Sequence, residues 1–228
     1  MGEPEYAVCF EGAGVFMPKS AFTHEGFREW VLSDDFPDGV KATFARGEVL
    51  FEVSPEAIRT HSIVKRQMLL ALASLAESDD LGESYPDGVL LTHARAGLST
   101  VPDFCFALWE TLETGRLREV PRNGDPDDSV ELEGTPDLVA EIVSKSSTHK
   151  DLTILRETYA RAGVPEYWII DVRKKEARFE ILRLDSGAYV ASAPREQPQI
   201  SIVFGRNVAL HRSKNRIGRW TYRFEITK

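Results

Sequence analysis

Apolar positions along the chain switch between helical and strand periods, and that rhythm predicts most of its elements. Phe22, Phe27, Trp30 and Val31 recur at helical spacing within residues 20–34, ahead of Pro37, so this segment reads as a helix. Residues 41–53 alternate apolar and polar side chains about Arg46-Gly47-Glu48, the pattern of a hairpin. Ser54-Pro55-Glu56 sets a capping side chain before a proline suited to the first helical position. A helix is expected from there to about Glu77, with Ile58, Val64, Met68, Leu72 and Leu75 on its buried face. Residues 89–91 and 101–108 read as strands, and 121–134, rich in Gly, Asp and Pro, as a loop. Residues 137–143 are nearly all apolar, as a strand covered on both faces must be. Ser147-Thr148 caps a helix expected to stop near Ala162-Gly163, and residues 167–171 form a second buried strand with Trp168 in the core. A hairpin follows from 179–184 and 189–193. This order indicates an α/β fold, a mixed β-sheet flanked by helices with additional C-terminal strands.

Composition narrows the class. The 228 residues are 42% hydrophobic and 28% charged, which suits a globular chain with a real core. No apolar run is long enough to span a bilayer, and the first six residues lack the basic flank and apolar core of a leader, so a cytoplasmic protein is expected. Cys9 and Cys105 cannot build a disulfide framework or a four-ligand zinc site, and the five histidines have no zinc spacing.

A net charge of −8 speaks against a nucleic-acid partner until its distribution is considered. Residues 1–140 hold 11 Lys/Arg against 26 Asp/Glu, whereas residues 141–228 hold 17 against 10. In the final stretch Arg206, Arg212, Lys214, Arg216, Arg219, Arg223 and Lys228 face one acid, Glu225, and flank Trp220 and Tyr222. Arg212, Lys214, Arg216 and Arg219 are the candidates for phosphate contact, with the aromatics able to stack on bases. The alternative is an edge strand that uses charge to avoid aggregation.

Two acids stand out. Glu141 lies mid-strand between Val139, Ala140, Ile142 and Val143, where an ionised carboxylate is costly unless paired, protonated or metal-bound. Asp103 follows Pro102 and precedes the apolar run 104–108. At the mouths of adjacent strands they could together hold a hard divalent cation such as Mg²⁺, or each could pair with an arginine. Strand alternation would put Asp137, Val139, Glu141, Val143 and Lys145 on one face, with Asp137 a further ligand or, as preferred, a polar cap on the strand. His149 and Asp151 read as first-turn helix residues.

The segment PDLVAEIVS (136–144), followed by YARAGVPEYWIID (159–171), resembles the Uma-type restriction endonuclease family, grouped with the PD-(D/E)XK nucleases. The likeness extends upstream through Gly47-Glu48, His61 and Val101-Pro102-Asp103, over roughly residues 20–193. It implies a core of helix, three strands, helix and fourth strand; outside it, residues 1–19 are uninterpreted, and the alternating, basic residues 194–228 read as a β-rich extension packed on the core. It also implies hydrolysis of DNA phosphodiester bonds with Mg²⁺ or Mn²⁺, and it permits a homodimer. By position, Asp103 is similar to the family's first metal-binding aspartate and Glu141 to the half-motif glutamate, with the Ile142 carbonyl a further ligand. Glu48 and His61 match positions near the site, Glu48 as an extra ligand and His61 orienting water or phosphate. His61 can equally be an ordinary helix-face histidine.

The half-motif lysine is replaced by Val143, and the helical position to which this family shifts it holds Leu155. Lys145, Lys150 and Arg156 are the candidate substitutes, and the two lysines are favoured because arginine cannot serve as a general base. A degenerate nuclease fold that binds nucleic acid or protein is therefore the alternative. A third reading takes the acidic N-terminal part as a protein-interaction surface.

Overall fold

The computed structural model describes residues 6–10, 14–122 and 124–228. The residues on which the absence of a leader was read lie largely outside these. A hairpin of β1 (Tyr6–Phe10) and β2 (Val15–Pro18) opens the chain, followed by α1 (His24–Val31). Thr23 Oγ1 caps α1 by accepting from Gly26 N at 3.1 Å, so the helix starts later than its apolar spacing suggested. The next hairpin joins β3 (Lys41–Ala45) to β4 (Glu48–Glu52) through Arg46 and Gly47, both at positive φ, the tight turn that suits strand twist.

The long helix α2 (Ile63–Ser78) is preceded by a wide turn over Ile58–Ser62, in which Ser62 N donates to Ala57 O at 3.3 Å, five residues back. Residues 54–57 are not helical, contrary to the capping reading of Ser54-Pro55. Glu56 is instead held by Lys65 at 2.6 Å and Lys41 at 3.2 Å, and the segment becomes one lip of a cleft. Five strands and a short helix follow: β5 (Gly82–Pro86), β6 (Leu90–His93), β7 (Leu98–Thr100), β8 (Phe104–Leu108), α3 (Trp109–Glu113) and β9 (Leu117–Arg122). Next is β10 (Asp125–Gly134), so the stretch read as a loop is mostly strand. Its pairing with β9 and β6 supplies hydrogen bonds that Gly- and Asp-rich composition does not announce.

The last third holds β11 (Leu138–Ile142), then a wide turn Lys150–Leu155 leading into α4 (Arg156–Arg161), which Gly163 at φ +78° ends. After it come β12 (Glu166–Asp171), β13 (Arg178–Asp185), β14 (Ala188–Ala191), β15 (Gln199–Ser201), β16 (Arg206–Lys214) and β17 (Trp220–Thr227).

Two six-stranded sheets result, ordered β4-β3-β7-β6-β10-β9 and β14-β13-β12-β11-β8-β5, with a three-stranded sheet β15-β16-β17. The second contains the expected core: α2, then β5, β8 and β11 antiparallel in turn, then the α4 segment, then β12 parallel to β11. One of its faces shares a core with the first sheet and α4 through Val139, Val143, Tyr159 and Leu98. The other is covered by α2 and the C-terminal sheet, where Trp168 packs with Phe179, Val208, Tyr222 and Phe224. Strand β11 is buried on both sides, which is why its sequence lacks alternation. Among the described residues no helix is long and apolar enough to cross a membrane.

Candidate active site

A cleft of about 630 Å³ opens between the two large sheets, lined by Glu52 of β4, Glu56 and His61 ahead of α2, Asp103 ahead of β8, Glu141 of β11, and Lys150 and Asp151 ahead of α4. His61, Lys150 and Asp151 all sit in the two wide turns that open helices, a geometry often found at functional positions.

Asp103 stands where β8 leaves β11. Phe104 pairs with Ala140, and one step further the Asp103 side chain takes over from the backbone, its Oδ2 accepting from Ile142 N at 2.8 Å. That oxygen is also 3.3 Å from His61 Nε2, while Oδ1 lies 2.9 Å from Lys65 Nζ. Burial to 6% exposure opposes ionisation, but His61, Lys65 and the Ile142 amide outweigh it and hold the carboxyl well below the usual range. Lys65 lies one helical turn beyond His61 and also binds Asp87 at 2.7 Å, which Lys41 meets at the same distance. Burial works against Glu56 too, yet Lys65, His61 and Lys41 bring it down to about 2. His61 Nδ1 is 3.1 Å from Glu56 Oε2 without a hydrogen-bonding alignment, and its pKa is raised despite burial by Asp103 and Glu56.

Glu141 has a different environment. It is 2% exposed, and its Oε1 accepts from Tyr159 OH at 2.8 Å. Burial, then the nearby Asp151 and Asp103, push its pKa well up against the opposing pull of Lys150. Asp151, pushed up to about 7 mainly by burial, accepts from Ser147 Oγ, while its Oδ1 is buried without a hydrogen-bond partner, 3.6 Å from Lys150 Nζ. Lys150 is 8% exposed and pairs with Glu52. Burial pulls its pKa down, but Glu141, Asp151 and Glu52 more than offset this.

The residues singled out from sequence separate accordingly. Asp103, Glu141, His61, Lys145 and Lys150 line the cleft, Lys145 exposed at its rim because β11 ends at Ile142, so strand alternation does not carry to it. Glu48 is exposed beside the hairpin turn and outside the cleft, and Glu52 at the far end of the same strand occupies the position expected of it. Asp137 is buried away from the cleft, accepting from Leu108 N at 2.8 Å and pairing with Arg116 at the start of β11. Arg156 donates to Tyr189 O at 3.0 Å on another face. Val143 and Leu155 are buried in the core. Arg212 and Lys214 stack on Trp220, and Arg216 and Arg219 are exposed beyond them.

The sequence reading missed Glu52, Lys65 and Asp151 as site groups. Spacing of four from His61 on a helix was the available signal for Lys65.

The donor set suits a hard divalent ion: oxygen donors from Asp103 and Glu141 with no thiolate, and a buried Asp151 oxygen that accepts no hydrogen bond. Glu56, His61 and Asp103 offer ligand atoms within 4.8 Å of one another.

The model of the family described as Uma2, putative restriction endonuclease, matches residues 25–210. The chain belongs to that family. A crystal structure of a putative nuclease belonging to DUF820 from Anabaena variabilis superposes with a TM-score of 0.57 over 80% of this chain and 90% of that one, at 16% identity. That likeness establishes a shared nuclease-like fold. No curated protein matches the chain.

Proposed function

We propose that this Uma2-family protein is a metal-dependent phosphodiesterase acting on DNA, and that Asp103 and Glu141 hold Mg²⁺ or Mn²⁺. The observation that carries the reading is the convergence of two buried carboxylates from adjacent strand mouths with a buried lysine, Lys150, in one open cleft. The ion would supply Lewis acidity at the scissile phosphate and a lowered pKa for the attacking water.

The chain's own residues supply the rest. Lys150, charged and pinned by Glu52 and Asp151, takes the role of the lysine absent at Val143 and Leu155. Its ammonium stabilises charge developing on the phosphate. Tyr159 orients Glu141 through its hydroxyl, and the Ile142 amide orients Asp103. His61, beside Asp103 and lining the cleft, can hold a water or a phosphate oxygen. The retained carboxylates weigh against a binding-only descendant, which would gain little from burying Glu141 at such desolvation cost.

Calorimetric titration of Mg²⁺ and Mn²⁺ into wild type and Glu141→Gln tests the assignment, with plasmid nicking measured alongside. Saturable binding and nicking in wild type, both lost in the variant, are expected. Equal binding in the variant, or none in folded wild type with and without DNA, would remove the metal site.

A further inference from the structure

The basic side chains of the C-terminal half do not all point outward. Arg212 is turned onto its own chain: its Nη1 donates to Lys174 O at 2.6 Å and Lys175 O at 3.1 Å, and its guanidinium lies 3.9 Å from the Trp220 ring centroid. Its Nε is buried. Arg212 is thus a brace under the connection between β12 and β13. That connection in turn presents Lys174 and Lys175, both exposed and without an ion pair among the described residues.

The same connection is anchored on its other side. Arg173 Nη1 donates to Ser144 O at 2.7 Å and Thr148 Oγ1 at 2.6 Å, and Ser144 belongs to the cleft lining. Hydrogen bonds thus anchor the 173–175 backbone at both ends, through Arg173 to the cleft rim and through Arg212 to the C-terminal sheet. Exposed lysines follow that path: Lys145 at the cleft, then Lys174 and Lys175, then Lys214, its ammonium 3.6 Å from the Trp220 centroid. Lys174 and Lys175 line a groove of about 810 Å³ that also includes Arg173, Arg178 and Arg195. Of the acids lining it, Asp171 is paired with Arg173 at 2.8 Å, while Glu176 and Glu196 are exposed; Glu180, which adjoins the groove, is paired with Arg178 and Arg195.

We infer that this rim is a track for the sugar-phosphate backbone of duplex DNA, in which Lys174 and Lys175 contact phosphates and Arg212 positions them. The inference rests on the nuclease reading of the cleft, because the track begins at Lys145 on its edge. Lysines are point charges without the planar fork that reads base edges, so such a track would grip DNA without choosing sequence. A line of separate cations held on a rigid hydrogen-bonded path fits a polyanion with regularly spaced charges.

The test is the salt dependence of binding to a short fluorescein-labelled DNA duplex in EDTA, for wild type and Lys174→Gln/Lys175→Gln. Mn²⁺-dependent hydrolysis of bis(p-nitrophenyl) phosphate is measured in parallel. Loss of two phosphate contacts should reduce the slope of log K against log salt by about 1.8, with small-diester hydrolysis unchanged. An unchanged slope overturns the track. So does wild type that fails to bind the duplex, and hydrolysis of the small diester then reports separately whether the catalytic reading stands.

Discussion

Asp103 enters the cleft ahead of β8, where an amide, an imidazole and a lysine converge on its two oxygens. Glu141 enters from within β11, where one tyrosine hydroxyl donates to it and two further acids crowd the same space. Both carboxyls are buried, yet one is driven towards the anion and the other towards the acid. Burial alone therefore does not set the state of a carboxyl group. The donors and cations within reach decide whether desolvation is offset. Around Asp103 and Glu56 the chain brings its own positive charge in Lys41, Lys65 and His61, whereas around Glu141, Asp151 and Glu52 it brings Lys150. The second group is short of positive charge, and a divalent ion reaching both carboxylates would supply it.

The sharpest way to break this contrast is to neutralise each acid in turn and measure stability by urea denaturation without metal. Asp103→Asn leaves Lys65 and His61 facing an uncharged amide and should cost about 3 kcal/mol, in the range for breaking a buried pair. Glu141→Gln removes a desolvated acid while keeping its shape and should be neutral or stabilising. Equal losses in both would mean that the two environments are alike.

A smaller separation is expected between the two lysines. Lys150→Met should reduce Mn²⁺-dependent DNA cleavage about 10²-fold, as removal of one fixed charge-stabilising group typically does. Lys145→Met should change the rate at saturating DNA less than about threefold, since its side chain is exposed at the rim. The reverse ranking in rates would move the catalytic role to Lys145.

The smallest effect is in the pH profile of stability. Glu141 and Asp151 have raised pKa values, Asp151 to about 7, so the folded chain binds protons there that the unfolded chain has released. Stability should fall as pH rises from the ordinary carboxylate range through about 7. Glu56 is depressed to about 2, so its contribution is present above its unfolded pKa and lost as pH falls towards 2. Melting temperatures across this range should show a flatter neutral limb in Asp151→Asn and an unaltered acid limb. An identical neutral limb would mean that Asp151 is ionised in the folded protein.

Much of the nuclease-like sheet was legible because β11 and β12 are apolar on both faces, a pattern that few other elements produce. Asp103 and Glu141 were legible as polar interruptions in such runs. Glu52, which the sequence did not single out beside Glu48, could not be told from it by pattern. Alternation places both on one strand face, about 13 Å apart, and only the approach of Lys150 from 98 residues away distinguishes them. Likewise the segment 121–134 reads as a loop until β6 and β9 are present to pair with it.

The sequence by itself determined the order of the core elements, from the long helix through the strands at 101–108 and 137–143 to the second helix and the strand at 167–171, together with the two acids at strand mouths and the absence of lysine at Val143 and Leu155, because periodicity and burial pattern are local properties. Tertiary structure decided that Lys150 lies near Glu141, that Lys65 belongs to Asp103, that Arg212 donates to the Lys174 carbonyl, and which carboxyl is driven towards the anion. Those depend on distances between segments far apart in the chain and on how completely water is excluded around each charge, which only the folded arrangement sets.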